Sequence, residues 1–293
     1  MSKLLITGSN GFIGKHLFTA LKKQGHNVQG FDIKDNQGED ITDAKSFDAS
    51  VKMFKPDYIF HLAALKSVPF SFLEPYKVME TNGLGTLRVL EAAKKHGVKK
   101  VIYSSSSSIY GGIHERGYSV ESDTPKPLSP YAISKLTGEY YCSLYPGRTS
   151  VLRYFNVFGI GQQTDSAYAA VIPKFIKALL KGETVELHGT GHQARDFTYV
   201  SDVVAANILA MKSKETGTFN IACGESHNLL ELIAELQRIT GKKLKTKLLA
   251  SRQGDILMSQ ASVLKANSLL GYKAKVDFKT GLIKMVEHMR KSK

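Results

Sequence analysis

Lys3-Leu4-Leu5-Ile6-Thr7-Gly8-Ser9-Asn10-Gly11-Phe12-Ile13-Gly14 opens the chain, and its reading decides the fold. The apolar run is too short for a signal peptide and stops at glycine, so it reads as a first strand. Gly8, Gly11 and Gly14 then lie between that strand and a helical pattern over 11–24. Glycine permits the tight turn and lets backbone N–H groups approach a pyrophosphate at the helix N-terminus. Three glycines can be a turn and nothing more. The strand-loop-helix setting favours a dinucleotide loop, in a G-x-x-G-x-x-G spacing that differs from the G-x-G-x-x-G of many dehydrogenases.

Outward from this stretch, short β-rich runs alternate with helical patterns. The runs are 3–7, 27–32, 58–62, 100–104 and 149–154; the helical patterns cover 11–24, 79–96 and 130–144. Such alternation predicts an α/β protein, a doubly wound parallel sheet of Rossmann type with helices on both faces. After Gly159 the rhythm breaks into a helix at 171–181, a short strand at 185–188 and a helix at 229–240. The expected division is a dinucleotide domain over 1–156, with 197–212 packing back on it, and a smaller α/β substrate lobe over 157–293. There are no internal repeats or long linkers.

Two further features carry chemistry. Phe31-Asp32 closes the second strand, 18 residues past Gly14. A carboxylate there can accept from both ribose hydroxyls of NAD and would repel the 2′-phosphate of NADP. Lys34 stands two residues on and weakens that preference; a plain strand-end aspartate is the alternative. The second feature is Ser129-Pro130-Tyr131-Ala132-Ile133-Ser134-Lys135. Serine suits an N-cap and proline the first helical position, so a helix should begin here and bring Tyr131 and Lys135, four apart, onto one face. A tyrosine titrates near pH ~10 and is a poor base unless a neighbouring cation favours its phenolate. Tyr-x-x-x-Lys alone is commonplace; downstream of a dinucleotide loop it reads as a redox enzyme whose acid/base is Tyr131.

Composition narrows the class. The 293 residues are 42% hydrophobic, which suits a soluble globular chain with ample core. No apolar stretch approaches ~18 residues, so no membrane span is expected. Cys142 and Cys223 show neither metal-like spacing nor a disulfide framework, which points to a reducing, cytoplasmic compartment and no metal. The net charge of +14 comes from lysines scattered over predicted helix surfaces. The densest run, Lys242-Lys243-Leu244-Lys245-Thr246-Lys247, lacks interleaved aromatics and reads as a solvated face, not a nucleic-acid site.

Taken together, the motifs resemble the extended short-chain dehydrogenases/reductases of the nucleotide-sugar 4-epimerase type. Besides Thr7–Gly14 and Tyr131/Lys135, they are Asp40-Ile41, His61-Leu62-Ala63-Ala64, Tyr103–Gly111, Leu152-Arg153-Tyr154-Phe155-Asn156, Arg195-Asp196-Phe197 and Arg252-x-Gly254-Asp255, in the family's order over almost the whole chain. The resemblance implies NAD as cofactor. Its expected contacts are Gly8, Gly11, Phe12, Ile13, Gly14, Asp32, Asp40, Ile41, Leu62, Ala63, Ala64, Lys66, Asn82, Ser104, Tyr131, Lys135 and Tyr154. A UDP-sugar is the implied substrate, with Lys66, Ser106, Tyr131, Asn156, Val171, Glu186, His188, Arg195, Arg252, Asp255 and Ser259 around it. Ile160 departs from the pattern, standing in a loop where many relatives have proline.

The resemblance also assigns roles. Ser106 relays the proton, although sequence physics leaves Ser105 and Ser107 open. Dehydratases of the family resemble Thr-Asp-Glu at 106–108 and decarboxylases Thr-Ser-Glu; this chain has Ser106-Ser107-Ser108 and no carboxylate to deprotonate the ring. Epimerisation at carbon 4 through a 4-keto sugar is therefore expected, with a nucleotide-sugar reductase or another epimerase as the alternative. Arg195 and Arg252 would clamp the diphosphate as bidentate donors, and Ser259 would stand at the sugar's carbon-2 substituent. A homodimer through the helices at 79–96 and 130–144 is expected.

Overall fold

The computed structural model describes residues 1–36, 38–112, 116–145, 148–163, 170–250 and 257–291. Five strands of the large sheet are β1 (Lys3–Thr7), β2 (Asn27–Phe31), β3 (Tyr58–His61), β4 (Lys100–Ser106) and β5 (Thr149–Tyr154). A sixth strand, Gly217–Ile221, joins from the far side of the chain. The order is Gly217–Ile221, β5, β4, β3, β1, β2, with every pairing parallel. From β1 the chain goes first to one side (β2) and then to the other (β3). That reversal opens a crevice beyond the carboxyl ends of β1 and β3, where α/β sheets bind ligands.

The helices are α1 (Phe12–Lys23), α2 (Ala44–Phe54), α3 (Val68–Leu73), α4 (Pro75–Val78), α5 (Gly85–Lys95), α6 (Pro130–Ser143), α7 (Val171–Lys181), α8 (Val200–Lys212), α9 (Leu229–Thr240), α10 (Leu264–Leu270) and α11 (Phe278–Lys291). Both faces of the sheet are covered, and β1 shows why its run is apolar throughout. Leu4 and Ile6 join the core of α1 and α8 residues, while Leu5 between them points into the opposite core with Phe47, Val51 and Val89. Burying each such side chain contributes roughly 1.5–3 kcal/mol.

The region around α7, α9 and α11 has a core of its own, shared with Phe158, Phe197 and Tyr199, which reaches Phe12 and Ile13 at the head of α1. It holds a parallel pair, Thr184–His188 with Lys245–Leu249. It also holds a three-stranded sheet with Ala194–Asp196 between Ser226–Asn228 and Met258–Ser259. Gly217–Ile221 and α8 return to the large sheet, so the chain passes between this region and the sheet more than once. Among the described residues no helix is long and apolar enough to cross a membrane.

Three expectations need correction. The helix predicted over 79–96 is broken: Met79–Leu84 is a π-helical segment ahead of α5. The widened turn carries Asn82, whose buried amide is pulled out of register by three hydrogen bonds described below, as is common for π-bulges at functional sites. β4 runs on through Ser106, two residues past the expected end at 104, because Ser105 and Ser106 continue the pairing with Arg153 and Tyr154. β2 and β3 end one residue early, releasing Asp32 and Leu62 into the crevice.

Candidate active site

The glycine loop and the loop after β3 are held against each other. Gly8 has φ +71°, and a Cβ there would lie 2.7 Å from the Ala63 nitrogen; one on Gly14 would lie 2.2 Å from the Gly8 carbonyl oxygen. The join is made by a buried hydrogen-bond chain. Ala63 N donates to Thr7 Oγ1 at 3.2 Å, and Thr7 Oγ1 lies 2.7 Å from His61 Nδ1. His61 Nε2 lies 3.0 Å from Thr86 Oγ1, which donates to the Asn82 carbonyl at 2.6 Å. Thr86 has one proton and gives it to Asn82, so His61 is the Nε2–H tautomer and accepts from Thr7 at Nδ1. Burial lowers the imidazole pKa to about 3, helped by the Lys135 charge, so this histidine is neutral.

Asn82 pins the same loop from the other side. Its Oδ1 accepts from Leu65 N at 2.8 Å, and its Nδ2 donates to Leu65 O and Ser134 Oγ, both at 3.0 Å. Its amide is thus committed to protein and fixes the loop after β3 at Leu65. Lys66 follows at an exposed position.

A dinucleotide fits the residues present. The N-terminus of α1 has no side-chain cap and no acidic residue in its first turn, leaving its amides for an anion. Ser9 Oγ, buried against Gly30, makes no hydrogen bond. Asp32 accepts from Asn10 N through Oδ2 at 2.8 Å and from Lys34 N through Oδ1 at 2.9 Å, which aims its carboxylate across the loop mouth. Asp40 Oδ1 accepts from Thr42 N at 2.8 Å, and the adjacent Ile41 is buried against Gly85.

α6 carries Tyr131 and Lys135. Ser129 Oγ accepts from Ala132 N at 3.2 Å and Pro130 takes the first position, so the helix starts where its caps dictate. The Ser106 side chain faces Tyr131 across the crevice and favours its phenolate. Ser106 also accepts from Ser108 N at 3.2 Å, capping the 3₁₀ turn Ser107–Tyr110. Lys135 Nζ donates to the Ser104 carbonyl at 2.8 Å and lies 5.2 Å from the Tyr103 ring centroid. Burial draws the lysine down to about 8, opposed by Cys142 and Glu139. The net shift of Tyr131 is upward, opposite to the lowering expected from a neighbouring cation. Burial raises the phenol, and Ser106 is the influence that lowers it. Tyr154, whose OH lies 3.0 Å from Ser104 Oγ and 2.7 Å from Asn207 Nδ2, braces the strand end beneath.

The substrate-side residues fall into groups. Asn156 has φ +26°, a left-handed conformation rare outside glycine, and its Nδ2 donates to the Asp196 carbonyl at 3.2 Å. Arg195 and Ser259 are register partners on neighbouring strands. Asp196 anchors both. Its buried carboxylate accepts from the amides of Cys223 (2.9 Å), Gly224 (3.0 Å) and Ala261 (3.3 Å), and burial pushes it up to about 7 against those donors. Glu186 and His188, with Nε2–Oε2 at 3.9 Å, sit on the separate parallel pair, and Val171 begins α7. Arg252 and Asp255 lie outside the described residues. Missed by sequence reasoning were Thr7, His61 and Thr86 as a positioning chain, and Glu139 with Arg153. Glu139 falls four residues after Lys135, and that spacing was the available signal.

A parallel sheet with a glycine-lined switch point, a carboxylate after β2 and a Ser-Tyr-Lys set across β4 and α6 define a nicotinamide-dinucleotide enzyme. Residues 4–222 match the model of the NAD dependent epimerase/dehydratase family. The chain is 32% identical to a UDP-glucuronate 4-epimerase of Thermodesulfobacterium geofontis, over 98% of this chain and 95% of that protein. Its fold is similar to that of a UDP-glucose 4-epimerase from Thermotoga maritima solved with UDP-glucose (TM-score 0.94, 34% identity, 99% of each chain). It is also similar to a UDP-N-acetylglucosamine 4-epimerase from Methanobrevibacter ruminantium solved with UDP-N-acetylmuramic acid (TM-score 0.91, 35% identity, 100% of this chain and 99% of that one). The protein belongs to the NAD-dependent epimerase/dehydratase family and is an enzyme whose cofactor is NAD.

Proposed function

We propose that the protein interconverts UDP-sugars epimeric at carbon 4, taking UDP-GlcNAc/UDP-GalNAc and also UDP-glucose/UDP-galactose. The observation that carries this reading is the placement of Tyr131 and Lys135 on one face of α6 against the end of β4, with Lys135 bound to the Ser104 carbonyl, Ser106 facing Tyr131, and no carboxylate at 107 or 108. Bound NAD would supply the hydride acceptor and donor for carbon 4, and its positive ring would favour the Tyr131 phenolate that Lys135 and Ser106 prepare. Tyr131 takes the 4-hydroxyl proton, Ser106 relays it, and the flat 4-keto sugar turns over about its diphosphate before reduction on the other face. Arg195, with Arg252, grips the diphosphate; Asp255 holds the ribose; Asn156 meets a phosphate; Val171, Glu186 and His188 face the uracil. Asp32 holds the adenosine ribose of NAD.

The test is incubation of the purified protein with UDP-GlcNAc and with UDP-glucose, without added cofactor, resolving products by NMR. The 4-epimers are expected. Strict dependence on added NAD(P)H with a reduced product would establish the reductase alternative. A second reading, a UDP-hexuronate, is favoured by Ser108 Oγ, which is buried without a partner next to Ser106 and could donate to a sugar carboxylate.

The assembly proposed is a homodimer. α6 buries Ala132, Lys135, Glu139 and Cys142 inward, yet leaves Ile133, Tyr140 and Leu144 exposed on its other side. Phe72, Leu73, Tyr76 and Leu84 extend that apolar surface over α3, α4 and the π segment, which pack beside α6. Contiguous exposed apolar area of this kind marks an interface.

A further inference from the structure

Behind the proton-transfer residues lies a buried ion pair that none of the roles above uses. Glu139 and Arg153 are 8% and 5% exposed. Arg153 Nη2 donates to Glu139 Oε2 at 2.6 Å, and Nε donates to Oε1 and Oε2 at 3.0 and 3.2 Å. Glu139 stands one helical turn after Lys135 and two after Tyr131 on α6. Arg153 is the register partner of Ser105 on β5. Ser105 Oγ donates to the same Glu139 carboxylate, and its two neighbours are Ser104, whose carbonyl holds Lys135, and Ser106, which faces Tyr131.

The pair reaches further. Arg153 Nη1 donates to Tyr110 OH at 2.8 Å and to the Glu121 carbonyl at 3.1 Å, with the guanidinium 4.9 Å from the Tyr110 ring centroid. Tyr110 ends the turn that Ser106 caps, and its OH donates to Asn220 Oδ1 at 2.7 Å, on the strand Gly217–Ile221. One charged pair thus ties α6, β4, β5, the 3₁₀ turn and the sheet's outer strand together. An apolar pair of similar volume would often be as stable, because desolvating two charges offsets their attraction. Stability therefore does not explain the pair, whereas geometry does.

We infer that Glu139 and Arg153 are positioning residues that hold the Tyr131–Lys135 face of α6 in register with the Ser104–Ser106 end of β4. This rests on the reading of Tyr131 and Ser106 as the proton-transfer pair. The charge of Glu139 has a second effect through Lys135. The titratable groups around that lysine are Tyr131, Glu139 and Cys142 on its own helix, Tyr103 on β4, His61 on β3 and Arg153 behind Glu139. Burial keeps Cys142 and Tyr103 protonated and His61 neutral at working pH. Among these groups Glu139 is the anion that favours the ammonium.

The test uses the NAD-loaded enzyme and Glu139→Gln, which keeps shape and acceptor but removes charge. The expected result is a kcat lowered about tenfold to a hundredfold, the scale of a small misplacement of reacting groups, with KM for the UDP-sugar nearly unchanged. The alkaline limb of the rate profile should move to lower pH, and Glu139→Asp should return that limb toward its original position. A paired Glu139→Met/Arg153→Met variant guards against misfolding: it should melt near the wild-type temperature and still lose kcat. Wild-type kcat and an unmoved alkaline limb in either variant would overturn the inference. Should the wild type epimerise no UDP-sugar, the proposed function fails separately. The inference is then read from the ultraviolet titration of the Tyr131 phenol in NAD-loaded protein, with Tyr131→Phe as blank. Glu139→Gln should raise that phenol's pKa by loosening Ser106 from it, and an unchanged or lowered titration would overturn the inference.

Discussion

The ammonium of Lys135 is fastened to the backbone of Ser104, its Nζ donating to that carbonyl at 2.8 Å, while Ser106, two residues along the same strand, faces Tyr131 and favours its phenolate. The lysine therefore works from beneath the strand end as a fixed charge. With its pKa drawn down by burial to about 8, the charged form is present below that pH and lost above it. Activity should accordingly show an alkaline limb at or below about pH 8, measured as kcat/KM against pH. Lys135→Met should remove the limb together with most of the activity; a limb unchanged in that variant would assign it to another group.

Tyr131→Phe should lower turnover by about 10²–10⁴, the usual contribution of a general acid/base. The fold should survive, because Tyr131 is only half-buried at the crevice and not within the core. Ser106→Ala should cost less, since Tyr131 keeps direct access to the sugar oxygen. Initial rates and thermal melts of both variants separate chemistry from folding, and a fully active Tyr131→Phe enzyme would dismiss the proposed base.

These residues were legible in the sequence because their signals are local. A serine cap, a proline and a four-residue spacing specify a helix face whatever lies around it, and three glycines between a strand and a helix specify a loop. What escaped depends on partners remote in the chain. The strand Gly217–Ile221 is recruited by β5, and the π segment follows from Asn82 bonding Leu65 and Ser134. Arg153 looked like one residue of a motif until Glu139 was placed opposite it. The direction of the Tyr131 pKa was likewise out of reach, since a spacing says that two side chains share a face and nothing of how much water reaches them.

Acid should destabilise the protein through His61. Its folded pKa, about 3, lies below the unfolded value of about 6.5, so the unfolded chain gains a proton first. The stability supplied by the neutral imidazole is complete above pH ~6.5 and falls as pH drops toward 3, by at most roughly 5 kcal/mol at the linkage slope of about 1.4 kcal/mol per unit. Urea unfolding at pH 7, 6, 5 and 4 should show this loss, reduced in slope for His61→Gln. An identical slope in the variant would place the acid sensitivity elsewhere.

If α6 forms the dimer face, charge placed on its outer stripe should break it. Tyr140 and Leu144 are 62% and 71% exposed, so Tyr140→Glu with Leu144→Glu disturbs little within the monomer. Light scattering at micromolar concentration should give a dimer for the wild type and a monomer for the double variant. A monomeric wild type would remove the proposed interface.

Substrate range should turn on Ser259. This residue lies beside Arg195 in the sheet that Asp196 anchors, so a side chain at 259 projects near a proposed diphosphate grip. A 4-keto sugar turning about that grip sweeps its carbon-2 substituent past the neighbouring wall. Serine leaves room for an acetamido group there, whereas a phenol ring would overlap it. Tightening a pocket by several heavy atoms discriminates through steric exclusion of the larger substrate, so the effect should be selective. Ser259→Tyr is expected to suppress turnover of UDP-GlcNAc by about tenfold or more while UDP-glucose keeps most of its rate, within the ~1–3 kcal/mol a single pocket contact commands. The comparison to make is kcat/KM for both sugars in both proteins. Equal losses would mean that the substitution disturbs the Arg195 strand itself, and no loss would move the gate to another residue of the pocket.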